Sequence, residues 1–152
     1  MRKFWEFNVL TVIGFILSLV LLLDDNIKIF HVPKEVKNYH NEYVGYIPHD
    51  CRRKVFRFNK FNIKFSPLGG DFIGFCNKMF RERKIILDTQ YWKWMSEADK
   101  KQLLFHELSH CLINKNHVED MTNYMYPTAY TIPEEIFVAQ VKEDIKNYCD
   151  EF

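Results

Sequence analysis

The chain has 152 residues, with 21 Lys and Arg against 20 Asp and Glu, 47% hydrophobic and 16% aromatic residues. This is the length of one domain, and so apolar a composition excludes a disordered chain. A net charge of +1 gives no basic footprint for nucleic acid, and the five glycines form no phosphate-cradling run.

Residues 9–23, VLTVIGFILSLVLLL, carry no charge; Arg2 and Lys3 precede them and Asp24-Asp25 follow. A helix apolar on every side, at the end of so small a domain, has nothing to bury against. The run therefore predicts an export signal or a membrane anchor. Fifteen helical residues cover about 22 Å, short of the roughly 30 Å hydrocarbon core. Phe4, Trp5 and Phe7 extend the segment to the interface, so membrane contact is expected over residues 4–23. No small residues stand at a cleavage position, which favours an uncleaved signal anchor over residues 1–25 and a folded domain over 26–152. The domain is expected outside the cytoplasm, anchored, or secreted if the segment is cleaved.

Further along, residues 33–44 have Pro near the start and Gly45 at the end, the usual order for a helix. Residues 58–65 (FNKFNIKF) predict a strand with Phe61, Ile63 and Phe65 on one face. Residues 67–71 (PLGGD) form a turn, and 72–75 and 84–87 are short strands, the second followed by Asp88. Ser96 caps a helix reaching Ile113, with Leu103, Leu104, Leu108, Cys111 and Leu112 at helical spacing. Thr131-Ile132-Pro133-Glu134 reads as a capping box opening a last helix to about Cys149. Strands first, then a central and a C-terminal helix, make an α+β domain.

The central helix carries His106-Glu107-Leu108-Ser109-His110, a His-Glu-x-x-His motif. Residues four apart share a helix face at about 6 Å between Cβ atoms. That separation lets two imidazoles meet one Zn²⁺ through bonds of about 2.0–2.1 Å. Glu107, beside the first His, can take a proton from water that the metal activates. A catalytic site needs a third ligand. His117 serves if the helix stops after Ile113 and doubles back, and Asn114 and Asn116 tolerate the left-handed geometry this requires. Glu134 or Glu135 would be the carboxylate rival. His31, His40 and His49 have no partner at ligand spacing and read as surface residues.

HELSHCLINKNH followed by NYMYP resembles the metzincin pattern: His-Glu-x-x-His, a helix-ending turn, a third His, then a Met-containing tight turn. Met125-Tyr126-Pro127 is similar to that turn in matrixins. The resemblance implies a zincin-like fold, with His106, His110 and His117 as ligands of one Zn²⁺, Glu107 as base and Met125 as the floor beneath the metal. Ile113 stands where metzincins usually have Gly, and the third His comes one residue later than usual. Small exported bacterial zincins reading HELGHC…R-x-H are a closer likeness, with Lys115 in place of the Arg. The likeness covers about residues 61–137 and is strongest over 106–127. Tyr126 and Tyr130 are nearby phenols, read chiefly as packing aromatics.

Four cysteines without a Cys-x-x-Cys pair fit two disulfides in an exported domain. Cys111 points about 100° of helix turn away from His110 and so faces the core or sheet. Cys76 ends a strand of the kind that lies over the active helix in zincin-like domains. The pairing expected is Cys76–Cys111, which leaves Cys51–Cys149. The function expected is hydrolysis of a peptide or protein substrate lying extended along an edge strand, with residues 85–88 as that edge. The alternative is an inactive zinc-stabilised binding module at a membrane surface.

Overall fold

The structure, a computed structural model, describes residues 28–128 and 131–151. Its strands are β1 (Ile29–His31), β2 (Lys60–Ser66), β3 (Gly74–Met79) and β4 (Glu82–Asp88). The helices are α1 (Lys37–Gly45), α2 (Arg52–Val55), α3 (Thr89–Trp94), α4 (Glu97–Ile113) and α5 (Glu134–Asp150), with a 3₁₀ turn at Lys34–Val36. This is an α+β fold around a small mixed sheet. The predicted signal anchor lies outside the described residues. Among those described, no helix is long and apolar enough to cross a membrane.

Alternation shapes the sheet. In β2, Phe61 and Ile63 are buried while Lys60 and Lys64 face solvent. In β4, Ile85 and Leu87 are fully buried. The strand order is β1-β2-β4-β3, with β1, β2 and β4 parallel and β3 antiparallel to β4. Consequently β4 is an interior strand, and the expected edge at residues 85–88 is corrected to β3. Ile85 and Leu87 explain why: residues buried this completely belong inside a sheet, whereas β3 exposes most of its length.

Helix α4 packs on β3 and β4 with one side and on α1 and α5 with the other. Leu104, Phe105 and Leu108 have no exposure, each contributing roughly 1.5–3 kcal/mol by burial. Ser96 caps α4 as expected, its Oγ accepting from Asp99 N at 3.2 Å.

Three elements were not foreseen: β1, α2 and α3. For α3 the signal was Asp88, whose Oδ1 accepts from Gln90 N at 2.8 Å and Tyr91 N at 2.9 Å. Its Oδ2 accepts from Leu68 N at 2.7 Å, which pins the turn where Gly69 and Gly70 both adopt φ +68°. The capping box at α5 does not form. Pro133 is the N-cap, without a side-chain cap bond. Thr131 Oγ1 instead donates to Asp99 at 2.7 Å, and Glu134 pairs with Lys101 at 2.5 Å. Lys101 is 7% exposed, and a buried ammonium gains more from a carboxylate than an exposed helix end does.

The structure joins Cys76 to Cys111 and Cys51 to Cys149, across sequence separations of 35 and 98. These are the two pairs anticipated from the sequence. By restricting the unfolded chain they contribute at most about 4 and 5 kcal/mol respectively. The first staples β3 to α4; the second ties the start of α2 to the end of α5.

Candidate metal centre

The end of α4 is shaped by one residue. Asn114 adopts φ 54°, ψ 27°, among the described residues the one non-glycine position with positive φ. Of the two asparagines considered, it is therefore Asn114 that turns the chain. Its N–H and that of Lys115 both donate to Ser109 O, the latter at 3.1 Å. The chain doubles back, and Val118 N donates to Met125 O at 3.2 Å, returning residues 124 and 125 to the helix. Met125 is fully buried in that turn.

The turn brings three imidazoles together. His106 Nε2 lies 3.0 Å from His110 Nε2 and 3.1 Å from His117 Nε2, and the last two are 3.0 Å apart. Two of the rings are aimed by backbone carbonyls. His106 Nδ1 donates to Tyr124 O at 2.8 Å, and His110 Nδ1 to Lys115 O at 2.6 Å.

That arrangement fits a cation. A neutral imidazole carries one N–H, and in His106 and His110 it is committed to a carbonyl at Nδ1. Their Nε2 atoms are then both acceptors, and a 3.0 Å approach of two acceptors is no hydrogen bond. Protonation does not resolve it: burial, with His110 and His117 nearby, pushes the His106 pKa down to about 4. Three converging ring nitrogens, two of them held from behind by carbonyls, form a donor set that could hold a metal ion. Glu134, the rival ligand, is committed to Lys101, and Glu135 is exposed.

Glu107 lies beside this cluster, 4% exposed. Burial pushes its pKa up to about 8, against the pull of the Cys76 backbone N–H that donates to it. Its Oε2 has no partner. Gly74 permits the approach of β3, because a Cβ there would stand 3.2 Å from Glu107 Oε1 and 3.3 Å from Leu87. The Cys76–Cys111 disulfide covalently fixes the strand that supplies the N–H. These groups open into a cleft of about 510 Å³ between β3, α4 and the segment 124–128, with Thr131 also lining it.

Other predicted positions fall elsewhere. Tyr126 lines the cleft, half-buried, and Tyr130 lies outside the described residues. His31 and His49 are exposed, but His40 is half-buried with its ring 5.6 Å from that of Phe61. Sequence reasoning missed Tyr124, whose carbonyl orients His106; a carbonyl contact leaves no mark in residue type.

An α+β fold with a His-Glu-x-x-His helix and a third converging histidine is an arrangement suited to a metal-dependent peptidase. The model of the family described as "Putative phage metallopeptidase" matches residues 70–146, just over half of the chain. The chain belongs to that family. No curated protein matches it, and no solved structure does.

Proposed function

We propose that the chain is a zinc peptidase of the metzincin kind, with His106, His110 and His117 holding one Zn²⁺ and Glu107 as general base. One observation carries the reading: three Nε2 atoms within 3.1 Å of one another on a cleft floor, beside a buried carboxylate with an unpartnered oxygen. The left-handed turn at Asn114 and the buried Met125 turn support the metzincin type. Nitrogen ligands suit zinc, which when bound supplies Lewis acidity toward a scissile carbonyl and a water. Glu107 takes the proton of the attacking water as oxygen bonds to the carbonyl carbon. It then returns that proton to the leaving amine nitrogen as the C–N bond breaks. The Cys76 N–H holds the carboxylate in place for both transfers, and Gly74 leaves room for it. Along the cleft, β3 is the strand on which an extended peptide would pair backbone to backbone.

The location proposed is outside the cytoplasm, with residues 1–25 as anchor and 26–152 as the peptidase domain; two disulfides support an oxidising compartment. Metal analysis with peptide-library cleavage tests the activity. Glu107→Gln should keep the fold and the metal while hydrolysis falls by roughly 10²–10⁴. Equal cleavage by parent and variant removes Glu107 as base. A parent that binds Zn²⁺ and cleaves nothing in the library turns the reading toward a binding module.

A further inference from the structure

Tyr124 and Lys115 share two properties. The carbonyl of each accepts from one ring of the histidine cluster, as described above. The side chain of each reaches the same carboxylate on α5. Tyr124 Oη donates to Asp144 Oδ2 at 2.9 Å, and Lys115 Nζ to Asp144 Oδ1 at 2.6 Å. One carboxylate therefore grips, with one oxygen each, the two residues whose backbones aim His106 and His110. The grip is secluded: Tyr124 is 1% exposed and the Asp144 side chain 12%. It is also braced from the helix itself, because Tyr124 Oη lies 2.9 Å from Ser109 Oγ, which is 3.0 Å from Tyr43 Oη. Ser109 stands between the two helical histidines, and its backbone oxygen receives the turn at Asn114 and Lys115.

We infer that Asp144 is a positioning residue of the metal centre, setting both carbonyls and through them the direction of two ligand lone pairs. The inference rests on the reading of the histidines as metal ligands. A tie that only fastened α5 to the body would need neither Tyr124 nor Lys115 in particular. These two residues are twenty and twenty-nine positions from Asp144 in sequence, and they meet on its two oxygens. Charge-assisted hydrogen bonds of this kind hold geometry more firmly than neutral ones, and partners behind ligating histidines tune metal affinity.

The test uses the full chain and two probes, Zn²⁺ in competition with a chelating dye and Co²⁺ read by its visible ligand-field spectrum. Asp144→Ala should weaken Zn²⁺ roughly 10–100-fold and alter the Co²⁺ spectrum. Tyr124→Phe and Lys115→Met should each give part of that loss, and neither should add to it in the Asp144→Ala background. Glu134→Gln breaks an ion pair on the same helix away from the histidines and should keep the parent affinity and spectrum. An Asp144→Ala chain with parent affinity and spectrum overturns the inference, as does an equal loss in Glu134→Gln. If Asp144→Ala does not fold, Tyr124→Phe decides, since it removes a hydroxyl and leaves the carbonyl. His117→Ala separates the two readings: if the parent binds neither metal any better than this variant, the metal centre itself falls. If the parent binds and only the Asp144 variants are silent, the centre stands and the positioning role falls.

Discussion

Two polar clusters tie α4 to its neighbours, and the same three helices build both. Near the start of α4, Lys101 meets Glu42 of α1 at 2.7 Å and Glu134 of α5 at 2.5 Å. Near its end, Ser109 meets Tyr43 of α1, and Tyr124 carries the link on to Asp144 of α5. The first is ionic and ends in side chains at the rim. The second is largely hydroxyl-based, and through Tyr124 and Lys115 it reaches the backbone that aims the histidines. Similar ingredients eight residues apart thus do different things. A polar cluster bears on a distant side chain when it holds the main chain to which that side chain bonds.

The largest expected contrast lies in metal affinity. His117→Ala should lower Zn²⁺ affinity by more than the roughly 100-fold reached by supporting residues. Glu42→Gln should leave it unchanged in the same dye competition; a matching loss would erase the distinction between the clusters. Next in size is the staple beside the second cluster. Replacing Cys76 and Cys111 together by Ser should cost up to about 4 kcal/mol in denaturant unfolding, and melting at an unchanged midpoint would show the bond to be idle. A smaller effect is expected at Gly74→Ala, where the added methyl must shift the Glu107 carboxylate by a few tenths of an ångström. Cleavage should fall about 10-fold, with Zn²⁺ affinity intact.

The smallest effect concerns acid. Burial works to raise the Glu42 pKa, but hydrogen bonds from Lys101 and Tyr46 outweigh it and hold the group below its ordinary value. A depressed carboxyl stabilises the fold above its unfolded pKa of about 4.3 and loses that contribution as pH falls through the folded value. The Lys101–Glu42 pair should therefore weaken as pH falls below the unfolded carboxyl value of about 4.3, while Tyr43, pushed up by burial, stays neutral there. Glu42→Gln should lose roughly 1 kcal/mol at pH 7 and show a shallower decline between pH 5 and 3. Parallel acid curves for parent and variant would remove Glu42 from the acid response.

What the sequence made legible follows the range of the forces involved. The start of α4 at Ser96, the left-handed end at Asn114 and the meeting of His106 with His110 are set within one helix, so spacing reveals them. Residues 85–88 were misjudged as an edge because strand order depends on pairing partners far along the chain. Thr131 and Glu134 matched a local capping pattern, yet Lys101, thirty-three residues before Glu134, captured the carboxylate. Asp144 could not have been singled out by spacing, since its contacts with Lys115 and Tyr124 exist only once the connection between α4 and α5 has folded onto α5.

The turn at Asn114 has a kinetic side. His106, His110 and His117 fall within a dozen consecutive residues, so bringing them together closes only a small loop and costs little chain entropy. Cys51 and Cys149, 98 residues apart, must instead find each other across most of the domain. Closures so local are expected to be fast and those so distant slow. The three histidines can thus approach one another at small cost in chain entropy, while the aim of His106 waits on Tyr124, whose carbonyl holds its ring.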